Sequence, residues 1–131
     1  MGRQLEMTRI NVGVQPWELP SKLLLAERYE MIRIPNAIIG MRVNLSVPIP
    51  VDFTLGKGHV RFFYNKIKYL HIRYIRIYWE CETRGFIVEH NDRPFELVQI
   101  VYPELYNDWE AGPLDRELIV NRIQSKGFDL L

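Results

Sequence analysis

Between Val60 and Arg84, apolar residues recur at Phe63, Ile67, Leu70, Tyr74, Ile77 and Cys81, four and three positions apart in turn. That spacing draws a single stripe down a helix. The same stretch, "IKYLHIRYIRIY", is rich in isoleucine and tyrosine and favours a strand by propensity. A strand of that length would be abnormal, and Gly85 is well placed as a helix stop. The pattern therefore predicts a long central helix over Val60–Arg84. Upstream, Leu23, Leu24, Ala26 or Glu27, Met31 and Ile34 form another apolar side, predicting a helix from Pro20 to Arg33. Proline suits its first turn, and Pro35 limits its end. A third helix is expected from Pro113 to Gln124, with Leu114, Leu118, Ile119, Arg122 and Ile123 in order. Residues 8–14 read as extended, "NLSVPIPVDF" as an extended loop, and the region of Pro94 and Pro103 as loop. The expected fold is all-α, a single compact three-helix domain with long loops.

Composition narrows the class. A chain of 131 residues, 47% apolar and 12% aromatic, is the size of one domain and can bury a real core. Its one cysteine, Cys81, rules out an internal disulfide framework and fits a reducing compartment. No apolar run approaches the ~18 residues of a membrane span. The N-terminus lacks a signal-peptide pattern, and Glu6 stands where a myristoylation signal needs Ser or Thr. A soluble, cytoplasmic monomer is expected, with no membrane partner.

The net charge of +1 hides an asymmetry. Residues 1–88 carry 13 Lys/Arg against 7 Asp/Glu, whereas residues 89–131 carry 4 against 9. A basic N-terminal two-thirds is what a phosphate-binding face requires. Recognisable small-site chemistry is absent. "GKG" at 56–58 is no P-loop, and neither His-Glu-x-x-His nor Cys-x-x-Cys occurs. His59, His71, His90 and Cys81 lack zinc-ligand spacing, so no metal and no cofactor are expected. Cys81 reads as a core residue and His59 as a packed or capping one.

Two segments are more specific. "TRINV" at 8–12 and "FTLGKGHVRFFYNKIKYL" continuing to "ECETRGF" at 53–86 together resemble the pyrimidine-dimer DNA glycosylase/AP lyase family typified by phage endonuclease V. The run opening the central helix is Gly56, Gly58, His59, Val60, Phe62, Phe63, Tyr64 and Lys66. Its close is Glu80, Cys81, Arg84, Gly85 and Phe86. The resemblance covers about Thr8 to Val88 and is weak beyond residue 90. It implies a three-helix domain acting on double-stranded DNA at pyrimidine dimers or abasic sites, through a Schiff base formed by an N-terminal threonine amine.

Carried over position by position, the resemblance implies Thr8 as nucleophile and Glu30 as the catalytic carboxylate, with Glu27 the alternative. Arg9 and Arg33 would bind phosphates beside the opened sugar. Lys22, Arg28, Arg61, Lys66, Lys68, Arg73 and Arg76 would complete the DNA-binding face. Tyr29 stands where the family has an arginine, and Lys22–Leu23 where it has Gln-His. The first seven residues, "MGRQLEM", read as an extension before a domain spanning 8–131. While they remain attached, Thr8 offers an amide; Gly2 or Lys22 would be the substitute amines. The alternative reading is a non-catalytic double-stranded DNA-binding protein of the same fold.

Overall fold

The computed structural model describes residues 10–131, and the regular structure among them is entirely helical, as expected. Five α-helices follow in order: α1 Ser21–Ile39, α2 His59–Phe62, α3 Ile67–Thr83, α4 Arg93–Val101 and α5 Pro113–Ser125. The three long ones answer to the three predicted. The remaining two lie where the sequence reading was incomplete, and each difference has a physical cause.

The helix expected to stop at Arg33 runs on to Ile39, through Pro35. A proline inside a helix costs about 3 kcal/mol, because it removes one backbone donor and crowds the preceding turn. Here Ile34, Pro35 and Ile38 are all buried, and their burial offsets that cost.

The predicted central helix is broken in two. After α2, Phe63–Asn65 tighten into a 3-10 turn, and Lys66 leaves helical geometry before α3 begins. Phe62 and Phe63 are both fully buried, yet neighbours on an unbroken α-helix point about 100° apart. Rewinding the chain lets both enter one aromatic cluster with Phe53 and Trp109. Side chains cap the backbone groups that the break exposes. Lys66 Nζ donates to the Phe62 carbonyl at 3.0 Å, and Asn107 Nδ2 to the Asn65 carbonyl at 3.0 Å. The stretch read as loop around Pro94 forms α4, because Pro94 sits in the first turn, where its missing N–H is harmless.

All six stripe positions of the central segment are buried. They pack with Leu24, Met31, Ile34 and Ile38 of α1, Phe95 and Val98 of α4, and Ile119 and Ile123 of α5 in one core. α1 lies against both α3 and α4.

Helices α1, α3 and α5 end in the same hydrogen-bond motif, a 6→1 bond enclosing a 5→2 bond, which needs a left-handed residue after the cap. For α3 and α5 that residue is Gly85 or Gly127. For α1 it is Met41, at φ 57°, with Arg42 N–H donating to the Ala37 carbonyl at 2.9 Å and Met41 N–H to that of Ile38 at 3.1 Å. A side chain in this conformation costs about 1–2 kcal/mol. Met41 is exposed and loses little packing, so Met41→Gly is expected to stabilise the fold by about 0.5–1 kcal/mol, read as a raised urea midpoint at unchanged slope.

Candidate active site

Thr8 and Arg9 lie outside the described residues. The chain that follows them is fixed from three sides. Ile10 N–H donates to His59 Nε2 at 2.9 Å. The other ring nitrogen, Nδ1, lies 3.0 Å from the Thr54 carbonyl, which can only accept. That bond sets the tautomer, with hydrogen on Nδ1 and a lone pair on Nε2 facing Ile10. His59 is itself fully buried, edge-on to Phe53 and Phe63, so it is a packed histidine with a backbone to hold. Asn11 is the second anchor, its Nδ2 donating to Glu27 on α1 at 2.8 Å.

The third anchor comes from α5. The segment read as extended turns at Asn11–Val14 instead, with Gly13 at φ 76°. A Cβ on Gly13 would stand 2.7 Å from that of Arg116, so both conformation and space require glycine there. Arg116 Nη1 donates to the Gly13 carbonyl at 2.7 Å, and the same guanidinium grips both Glu18 oxygens at 2.8 Å. The Arg116 bonds, with help from the Gln15 N–H, hold the Glu18 carboxyl below its ordinary range despite partial burial. A lowered folded-state pKa means stability present above the unfolded value, near 4.5, and lost as pH falls through the lower folded value. Thermal melts should fall more steeply below pH 4.5 in the unaltered protein than in Glu18→Gln.

The two carboxylates of α1 are in different situations. Glu27 occupies the buried stripe between Leu24 and Met31, 1% exposed. Arg73 of α3 meets it with Nε at 2.5 Å and Nη2 at 3.1 Å, and Asn11 takes a further place on it. Burial works against the charge of Arg73, but Glu27 outweighs it and raises the pKa further. Next to this pair Tyr69 is pushed up to about 12, mainly by burial, and stays a neutral phenol. Glu30, one turn on, reaches the boundary with solvent. Its side chain is 22% exposed and accepts from Arg33 at 3.2 and 3.4 Å. The i, i+3 spacing of Glu27, Glu30 and Arg33 thus runs one line from core to surface.

The basic residues separate by exposure. Lys22, Arg33, Lys68 and Arg76 are exposed; Arg61 is half-buried beside the Tyr64 ring at 6.0 Å. Lys22 Nζ lies 5.9 Å from the Phe128 ring. Arg28 is half-buried and donates to the Glu89 carbonyl. Lys66 is held by Phe62 and Asn65, and burial lowers its pKa. Arg73, expected on the DNA-binding face, is placed instead in the interior. It is 8% exposed and its charge is matched by the Glu27 carboxylate. Glu27 and Arg73 are opposite charges on the inward faces of α1 and α3, a match that only the packing of the two helices reveals.

Two open clefts flank these elements. One, of about 630 Å³, has Tyr69, Trp109, Arg73, Arg76, Asp108 and Glu110 among its lining residues. The other, of about 680 Å³, lies where the end of α1 meets α2 and contains Arg33, Arg42 and Tyr64. The remaining histidines are bridged by one carboxylate, Asp92, which is 2.9 Å from both His71 Nε2 and His90 Nε2. No group of three His, Cys, Asp or Glu among the described residues is arranged to hold a metal ion. Cys81 is buried, and burial raises its thiol pKa. No described helix is long and apolar enough to cross a membrane.

The family model for pyrimidine dimer DNA glycosylases matches residues 7–94. The match takes in the anchored N-terminal segment, both α1 carboxylates and the whole of α3, and stops within α4. Arg116, which clamps the Gly13 turn, lies beyond it. With two-thirds of its length matched, this chain belongs to the pyrimidine dimer DNA glycosylase family.

Proposed function

We propose that the protein is a DNA glycosylase/AP lyase that works through a Schiff base on the α-amine of Thr8, once that residue begins the chain. The observation that carries this reading is the pinning of residues 10 and 11. Ile10 is bonded to a buried histidine and Asn11 to a buried carboxylate of α1. Two residues of chain span at most about 7 Å, so a nucleophile at Thr8 is tethered close to a rigid support.

An α-amine has a reference pKa of about 7.7–8.0, leaving on the order of a tenth of it neutral and nucleophilic at pH 7; a lysine near 10.4 offers less than about one part in a thousand. The amine attacks C1′ of the damaged nucleotide, forming a C–N bond as the bond to the base breaks. The sugar ring opens to an imine. Loss of a C2′ proton then expels the 3′ phosphate by β-elimination. The carboxylate assigned to these proton transfers, and to stabilising the cationic imine, is Glu30. It is the α1 carboxylate that reaches solvent, whereas Glu27 is enclosed by Arg73 and Asn11. Arg9 and Arg33 are assigned to the flanking phosphates. Lys22, Arg28, Arg61, Lys68 and Arg76 are assigned to the wider duplex contact, which would make affinity strongly salt-dependent.

Borohydride reduces an imine to a stable amine. A chain beginning at Thr8 is expected to be trapped covalently on duplex DNA carrying an abasic site, and the same chain with its N-terminus acetylated is not. Absence of trapping with the free Thr8 amine would leave the competing reading, a non-catalytic double-stranded DNA binder of this fold.

A further inference from the structure

Of the two clefts, the one at the end of α1 differs in charge. It is lined by Arg33 and Arg42 and by no acidic residue. In the other cleft, Arg73 and Arg76 share the lining with Asp108 and Glu110. Arg33 is already bonded to Glu30. The Arg42 side chain has neither an ion pair nor a hydrogen bond among the described residues.

That side chain lies against the turn that ends α1. Arg42 Nη1 lies 2.4 Å and Cζ 3.1 Å from where a Cβ on Gly40 would stand, so the exposed side chain folds back over this turn. The next residue, Met41, takes the left-handed conformation that glycine fills at the ends of α3 and α5. The one glycine of this turn thus stands where Arg42 folds back and not where the motif needs it. Strain retained at a residue beside a cleft is a recurring mark of a binding site. Tyr64, with Arg61 beside its ring, also lines the cleft.

We infer that this cleft is a subsite for a phosphodiester of the DNA backbone, with Arg42 as its principal cation. A guanidinium with open donors matches two phosphate oxygens at once, which an ammonium cannot do. The inference rests on the DNA-binding reading above and adds a phosphate position one ion pair away from Glu30, through Arg33.

The test is binding of the full chain to a duplex carrying a tetrahydrofuran abasic analogue, measured over a series of salt concentrations. Arg42→Ala is expected to weaken binding about tenfold and to lower the slope of log affinity against log salt by about 1. Arg42→Lys should restore the slope but only part of the affinity. Arg93→Ala, an exposed arginine at the start of α4, serves as the control and should change little. If the unaltered chain binds and Arg42→Ala matches it in affinity and slope, the subsite is wrong while the DNA reading stands. An equal loss in Arg93→Ala also overturns the subsite, because the effect is then bulk charge. If the unaltered chain shows no salt-dependent affinity for the duplex, the DNA reading fails and the subsite fails with it.

Discussion

Arg73→Ala is expected to lower the unfolding free energy by about 3–5 kcal/mol, the range for breaking a buried ion pair from one side. The truncation leaves the Glu27 carboxylate 1% exposed with Asn11 as its one remaining partner among the contacts described. Domains of this kind are stable by about 5–15 kcal/mol, so the loss is a large share of the total. The melting temperature should fall by roughly 10–20 °C. The damage would not stay within α3, because Glu27 also holds Asn11, three residues from the proposed nucleophile. A double replacement, Glu27→Leu with Arg73→Leu, removes both charges and should recover most of the stability. It should not recover full activity, since Asn11 then loses its acceptor. Thermal melts of the single and double variants, set beside their trapping yields, separate support of the fold from placement of the N-terminus. If Arg73→Ala melts within a degree of the unaltered protein, the pair is not the interior strut described above.

Glu30→Gln is expected to do the opposite. Its pair with Arg33 is at the surface, where such contacts contribute about 0–1 kcal/mol, so the melting temperature should barely move. Strand cleavage at an abasic site should nevertheless slow by about 10²–10⁴-fold, the usual contribution of a positioned acid–base group. Single-turnover cleavage, with enzyme in excess, measures the chemical step apart from product release. Cleavage at an undiminished rate would remove Glu30 from the mechanism. Full loss in Glu27→Gln with a retained fold would transfer the role to Glu27. The two carboxylates, one turn apart, are thus distinguished by one variant that should unsettle the fold and another that should leave it intact.

How far the chain could be read before its fold was known follows from which signals are local. The stripe from Phe63 to Cys81 is a local signal, and every member of it is buried. Gly85 as the stop of α3 is equally local. Pro35 misled because the rule that proline ends a helix ignores what burial can offset. Adjacent Phe62 and Phe63 broke the predicted central helix for a non-local reason, the Trp109 ring arriving from over forty residues away. Of the ion pair between Glu27 and Arg73, the sequence showed only Glu27 as a charge on an apolar side. Their pairing needed the packing of α1 on α3. Arg42 lay between the predicted first helix and the extended loop and carried no motif, so nothing local marked it. Of the two catalytic residues assigned, Glu30 can be placed on α1, and Thr8 lies outside the described residues.

The central claim is the identity of the reacting amine, and the most direct measurement is the mass of the trapped adduct, mapped by fragmentation. After borohydride reduction on abasic duplex and digestion, the deoxyribose remnant should be found on the α-nitrogen of Thr8, in a peptide beginning "TRINVGV". A remnant on the side chain of Lys22 or another lysine, or on a chain that still carries residues 1–7, would contradict the account.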